Sequence, residues 1–102
     1  MELNQNQYYQ LEYPVNDDAG EPIPSVQAAS FTMWSGSTEV FSQDLCSGGS
    51  FTAGVFTVTL SDTSGFSRSY RFEVWVIVDG KKYLTHSGSI SFIKTLERVE
   101  IC

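Results

Sequence analysis

Basic residues are scarce in this chain. Six Lys and Arg stand against twelve Asp and Glu, which gives a formal net charge of −6 over 102 residues. Nucleic-acid phosphates and anionic lipid headgroups are bound through clustered positive charge, and no basic run is present. We therefore expect neither nucleic acid nor a membrane surface as a direct partner. The acidic residues are dispersed, which favours a role in solubility.

The chain also lacks a cysteine framework, a long apolar run and a signal-peptide pattern. Cys46 and Cys102 are far fewer cysteines than small secreted disulfide-rich domains carry. Two free thiols are the favoured interpretation, and a disulfide between them is the alternative. No apolar run approaches the ~20 residues of a membrane-spanning helix, and residues 1–5 lack the charged and apolar regions of a secretory signal. These features predict a protein that is made in a cytoplasm and stays soluble.

Apolar and polar residues alternate with period two along most of the chain, and no segment shows a helical period. Such alternation is typical of strands that bury one face. The strands recur at intervals of about ten residues with turn signals between them, which predicts a β-sandwich of about seven strands. The predicted inward-facing residues are Tyr9, Leu11, Tyr13, Val15, Ala29, Phe31, Met33, Phe56, Val58, Leu60, Tyr70, Phe72, Val74, Val76 and Val78.

Turn and loop signals separate these strands. Asp79-Gly80 is the sharpest of them, because this pair is favoured in two-residue type I′ hairpins. Residues 47–50 are predicted to form a loop. Residues 21–24 contain two prolines, which cannot donate to a strand ladder, so we expect an extended connection whose Ile23 closes one end of the core. A weaker strand is predicted at 39–45, and its facing stays open because two apolar residues are adjacent in it.

Residues suited to catalysis or metal binding are few. His86 is the single histidine, and no Gly-x-Ser-x-Gly segment offers it a nucleophile, so a surface position on a strand is favoured. Zinc sites use about four Cys or His ligands, and this chain has two Cys and one His, widely spread. The acidic residues within 17–21 lack the ligand density of a calcium loop, and a solvated turn is favoured. We therefore predict no enzymatic activity, no metal and no cofactor.

Three large apolar residues fall on strand faces opposite the predicted core: Trp34, Trp75 and Ile77. If those faces meet solvent, such residues indicate an interface. The alternative, equally weighted, is that both faces are covered or that the inward face is wrongly chosen. An aromatic patch on a sandwich could also stack on a sugar, although the sequence arranges no clear polar set around it.

The signals follow a definite order along the chain. They are Tyr9-x-Leu11-x-Tyr13, then residues 17–23, 29–33, 54–60 and 70–74, then Asp79-Gly80, and finally residues 84–92. This order resembles that of the small immunoglobulin-like β-sandwich found in tailed-phage virion proteins. The N-terminal domain of the baseplate upper protein of lactococcal-type phages is a member of that group. The resemblance covers about residues 7–94, nearly the whole chain.

The resemblance implies an immunoglobulin-like antiparallel β-sandwich of about seven strands without catalytic residues. We expect one domain over residues 1–102, with a core at about 7–94 and a tail at 95–102. The expected function is that of a non-enzymatic phage or prophage virion protein, made in the host bacterial cytoplasm and bound to virion proteins and to itself. Head decoration, head–tail connection and a tail or baseplate accessory subunit are all open. The alternative is an immunoglobulin-like recognition module for a carbohydrate or a cell-surface partner, and an acidic anti-host factor is a further class.

Overall fold

A computed structural model describes residues 1–95, and these residues form two stacked β-sheets. The larger sheet has the strand order β1-β8-β7-β3-β4 and the smaller has β2-β6-β5. No helix within the described part of the chain is long and apolar enough to cross a membrane. The strands are β1 (Glu2–Asn4), β2 (Tyr9–Pro14), β3 (Ala28–Ser35), β4 (Thr38–Asp44), β5 (Ser50–Thr52), β6 (Val55–Leu60), β7 (Ser69–Val78) and β8 (Lys81–Ile93).

The core lies between the two sheets and consists of the residues that alternate along the strands. Every residue predicted to face inward is buried except Tyr9 and Val78, which are partly buried and pack against the core. Ile23 also packs there, as expected from its connection. Burial of each large apolar side chain stabilises the fold by ~1.5–3 kcal/mol before the entropy of ordering is counted. The period-two prediction of an all-β, sandwich-like fold is therefore confirmed.

Two strands differ from the sequence prediction of about seven antiparallel strands. β5 begins at Ser50, inside the predicted loop, and β1 pairs in parallel with β8, with Leu3 opposite Phe92. Each of these strands has three residues, which is too short for an alternating pattern to be recognised. Leu3 is buried, so the core begins upstream of the expected limit at residue 7.

Two hairpin turns have left-handed backbone at both central residues, as type I′ turns require. The predicted Asp79-Gly80 turn is confirmed, with φ of 52° and 77°. The second joins β5 to β6 through Ala53 and Gly54, with φ of 52° and 81°. Cys46 is exposed and pairs with no cysteine among residues 1–95. Cys102, the disulfide alternative and most of the predicted tail lie outside the described residues.

Aromatic rings join the sheets at the centre of the core. Tyr13 on β2, Phe31 on β3 and Phe72 on β7 form a trio with ring centroids 5.7–5.8 Å apart. Offset aromatic contacts of this kind contribute ~0.5–1.5 kcal/mol each beyond the area they bury. A second group forms at one end, where Phe66 lies 5.6 Å from Tyr70 and 5.0 Å from Phe92.

Candidate functional site

Trp75 and Ile77 lie on the outer face of the five-stranded sheet, away from the core. Their neighbours on β7, Val74 and Val76, are fully buried on the inner face, and period two directs the intervening side chains outward. The indole of Trp75 is 38% exposed. The structure thus places both residues on the face that the sequence assigned to them.

The register of the β7–β8 hairpin adds Leu84 to this face, and a β-bulge follows it. The register between β7 and β8 shifts between Val74 and Trp75, so Val74 lies opposite His86 while Trp75 lies opposite Leu84. Thr85 is the extra residue, and its Oγ1 donates a hydrogen bond to the carbonyl oxygen of Val74 at 3.2 Å. Directly opposed residues share a face, so Leu84, 46% exposed, lies beside Trp75. No sequence signal marks an inserted residue in a strand.

We define the outer patch as Ala28, Trp75, Ile77 and Leu84, which neighbouring strands bring together on one face. Ala28 on β3 lies opposite Ile77. A shallow depression of about 470 Å³ covers part of the patch, and its polar walls are Ser30, Asp44 and Lys82. The patch is therefore an apolar surface with polar groups of both signs at its border.

The indole of Trp75 is held in place by its neighbour on the same strand. Trp75 Nε1 donates a hydrogen bond to Glu73 Oε1 at 3.3 Å. Glu73 thereby orients the indole. A ring held in one orientation loses less conformational entropy when a partner covers it.

Trp34 lies on the same outer face but outside the outer patch. It is partly buried on β3, opposite Arg71 of β7. Arg71 and Trp75 are four residues apart on β7, which corresponds to roughly 13 Å along a strand. The pair Thr32 and Glu73 lies between them. The three candidate interface residues therefore share a face, but the structure brings only Trp75 and Ile77 together.

A second depression, which we call the end cleft, opens between the sheets near the β7–β8 turn. Its volume is about 550 Å³, and its apolar wall includes Val15, Ile23, Val76 and Val78. Tyr83, 49% exposed, lies at its edge. Asp17 and Asp18 from the loop after β2 also line it. The cleft is apolar inside and acidic along this border.

His86 lies on a strand, as the sequence interpretation has it, and also makes a specific contact with β2. It is half-buried, and its Nε2 lies 2.7 Å from the carbonyl oxygen of Pro14, which can only accept. Its ring also lies 5.2 Å from that of Tyr13. The bulge at Thr85 permits this, because it turns both Tyr83 and His86 towards the end cleft. His86 therefore ties β8 to β2.

The acidic turn after β2 is held by hydrogen bonds between the Asp17 side chain and backbone N–H groups of the same turn. Asp17 Oδ1 accepts hydrogen bonds from the backbone N–H groups of Ala19 and Glu21, at 2.9 and 3.0 Å. This is the Asx-turn arrangement that Asp favours in loops. Within residues 1–95, no group of three or more His, Cys, Asp or Glu side chains is placed to hold a metal ion.

Comparison with known proteins gives no relative from which a function could be inferred, so any functional proposal rests on the surfaces described above. No match to this chain was found among protein-family models, curated proteins or solved structures.

Proposed function

We propose that this chain is a non-enzymatic assembly subunit of a phage or prophage virion that binds virion proteins and copies of itself through the outer patch. The observation that carries the proposal is the exposure of Trp75 and Leu84 side by side on a strand-paired, rigid face. Head decoration, head–tail connection and a tail or baseplate position all agree with such a surface.

The composition of the outer patch supports a protein interface. Large apolar groups gathered on one exposed face mark binding surfaces, and Trp is enriched among the residues that dominate binding energy. Asp44 and Lys82 give the patch a polar border of mixed charge, which is the usual anatomy of an interface.

The proposal includes an immunoglobulin-like fold, and the strand order supports it. Immunoglobulin-type sandwiches pack a sheet containing strands B, E and D against one containing G, F and C, which C′ can extend. If β2–β8 correspond to B, C, C′, D, E, F and G, the smaller sheet is B-E-D and the larger is G-F-C-C′ with β1 beside G.

The start of β7 supports the same correspondence. Tyr70 Oη accepts a hydrogen bond from the backbone N–H of Ser67 at 3.3 Å, a contact like the tyrosine corner at the start of strand F. In antibody domains, the second disulfide cysteine follows that tyrosine by two residues, and a buried Trp from strand C packs on the bridge. Here Phe72 occupies that position and contacts Tyr13 and Phe31. An aromatic trio would then replace the disulfide and the Trp.

Light scattering after size-exclusion chromatography, over a concentration series, tests the self-association. We expect a discrete oligomer that Trp75→Lys weakens at least about tenfold, because a charge in an apolar contact is costly. Tyr8→Lys is the matched control, since Tyr8 is an exposed aromatic residue away from the outer patch. Antibody detection in gradient-purified particles from the source culture tests the virion assignment. A monomer at every concentration that is also missing from particles contradicts the proposal.

A second candidate function is carbohydrate recognition by the same face. Aromatic rings bind sugars by stacking, and the polar groups of Ser30, Asp44 and Lys82 lie around the oriented indole of Trp75. A glycan array, followed by tryptophan-fluorescence titration of any hit, tests it. We expect Trp75→Phe to keep part of the binding and Trp75→Ala to remove it. A silent array eliminates this candidate and leaves the assembly subunit.

A further inference from the structure

The strand β8 is paired along only part of one edge. β7 pairs with it on one side from Lys81 to Ser91, whereas β1 occupies the other side only at Ser91–Ile93. Within residues 1–95, no strand pairs with the remaining edge from Lys81 to Ser89. We call this segment the open edge.

The hydrogen bonds at the end of β1 show which backbone groups the open edge presents. Met1 N donates to the carbonyl oxygen of Ser89 at 3.2 Å, and Ser91 N donates to that of Met1 at 2.9 Å. Residues 89 and 91 therefore direct their backbone groups away from β7, and by period two Ser87 does the same. An added strand would meet the N–H groups of Ser87 and Ser89 and the carbonyl oxygen of Ser87.

The open edge adjoins the end cleft. Tyr83 and His86 both face the cleft because of the bulge at Thr85. Side chains of an added strand that lie opposite these residues would share their face. One such side chain could therefore pack against Tyr83 and the apolar wall that includes Val15 and Val78. Backbone pairing with side-chain pockets is the arrangement by which extended peptides add to sheet edges.

The geometry favours a different protein over a second copy of this chain. Antiparallel pairing of two open edges would be centred on Thr85, where both strands carry the bulge, and bulges protect edges from such pairing. By contrast, β1 shows that the edge accepts a parallel strand, with Leu3 buried against the core. Asp17 and Asp18 on the cleft border complement a basic residue in the partner.

We propose that the open edge of β8 binds an extended segment of a partner protein by parallel strand addition, with an apolar side chain in the end cleft and a basic residue near Asp17 and Asp18. This surface shares only Leu84 with the outer patch, and Ala28, Trp75 and Ile77 do not line it. The two proposals can therefore fail independently.

Nuclear magnetic resonance of the ¹⁵N-labelled chain tests this proposal with a synthetic probe peptide of alternating valine and threonine and lysines at its ends. We expect chemical-shift changes confined to residues 83–89 and the end cleft, and amide exchange at Ser87 and Ser89 slowed at least about tenfold. Trp75→Lys should leave both effects unchanged. Shift changes centred on Ala28, Trp75 and Ile77 or along β4 instead, or no shift changes, would overturn the proposal.

Ser87→Pro and Ser87→Ala form a matched pair at the open edge. Proline removes the outward N–H and is tolerated on edge strands, whereas alanine keeps that N–H and removes only the hydroxyl. We expect peptide affinity to fall at least about tenfold in Ser87→Pro and to persist in Ser87→Ala. A probe peptide N-methylated at successive central residues, which blocks both of its edges, gives the same test without altering the protein. Equal binding by that peptide or by folded Ser87→Pro would overturn the proposal.

Discussion

The side chain of Gln43 on β4 forms two hydrogen bonds with the backbone of Thr59 on β6, and so joins the two sheets. Thr59 N donates to Gln43 Oε1 at 2.7 Å, and Gln43 Nε2 donates to the carbonyl oxygen of Thr59 at 3.2 Å. β5 pairs with β6 only as far as Thr57. Beyond that point, the amide of Gln43 takes the place of a neighbouring strand.

Gln43→Leu is expected to lower the free energy of unfolding by ~2–3 kcal/mol, because it leaves the Thr59 N–H and carbonyl without partners inside the protein. Gln43→Glu is the matched variant: it keeps the acceptor but sets a carboxylate against a carbonyl at neutral pH. Urea unfolding at about pH 7 and about pH 4 measures both. The deficit of Gln43→Glu should shrink at the lower pH, where a protonated carboxyl can donate. A Gln43→Leu variant within ~0.5 kcal/mol of wild type would contradict this role.

The buried hydroxyl of Tyr13 is expected to lower the free energy of unfolding at alkaline pH. It is buried without a hydrogen-bond partner among the described residues, and burial raises its pKa far above the ordinary value of 10.0. Below that ordinary value, both folded and unfolded chains hold the proton, so stability is unaffected. Above it, only the unfolded chain ionises, and stability falls by ~1.4 kcal/mol per pH unit from this residue.

Tyr13→Phe removes both the unpaired hydroxyl and its titration while keeping the ring against Phe31 and Phe72. We expect its free energy of unfolding to equal or exceed that of wild type by up to ~1 kcal/mol at about pH 8. The advantage should grow by ~1 kcal/mol or more at about pH 11. The other tyrosines are common to both proteins and cancel in the difference. An advantage that does not change with pH would show that the hydroxyl is not desolvated.

His86 is expected to stabilise the sandwich through its hydrogen bond to the carbonyl oxygen of Pro14. His86→Phe keeps a ring against Tyr13 but cannot donate to the carbonyl oxygen of Pro14, so we expect a loss of ~0.5–1.5 kcal/mol. His86→Ala loses the ring contact as well and should cost more. Thermal and urea unfolding measure the two variants. Equal stability of His86→Phe and wild type would mean that the hydrogen bond contributes nothing.

The long strands could be predicted from the sequence, whereas the short ones could not. In β2, β3, β6 and β7, alternation over six or more residues fixes both the strand and its buried face. β1 and β5 have three residues each, and only their pairing partners make them strands. Gln43 shows a further limit, because its polarity suggests an outward position while a long-range hydrogen bond makes burial favourable.

The candidate site was predictable to a similar extent. Trp75 and Ile77 follow from the period of β7 alone. The Asp79-Gly80 turn sets Leu84 opposite Trp75, but the inward pattern of Ile90 and Phe92, extended back without the extra residue Thr85, would place Leu84 inside. A bulge has no sequence period that would correct this. The sequence pattern groups Trp34 with Trp75 and Ile77 because it lies on the same face, but Trp34 lies outside the outer patch. A strand pattern gives the face of a residue and not its distance from others on that face. Spacing within a sheet depends on register, which pairing determines.

The two type I′ hairpins provide a reciprocal test of backbone strain. Ala53 adopts φ of 52°, a left-handed conformation that is unfavourable by ~1 kcal/mol for a residue with a Cβ. Asp79 occupies the equivalent position of the other hairpin with the same φ, and Asp tolerates this conformation better than Ala. Ala53→Asn should therefore raise the free energy of unfolding by ~0.5–1 kcal/mol, and Asp79→Ala should lower it by a similar amount. Urea unfolding of both variants measures the changes. If both variants shift in the same direction, side-chain contacts rather than turn geometry control the hairpins.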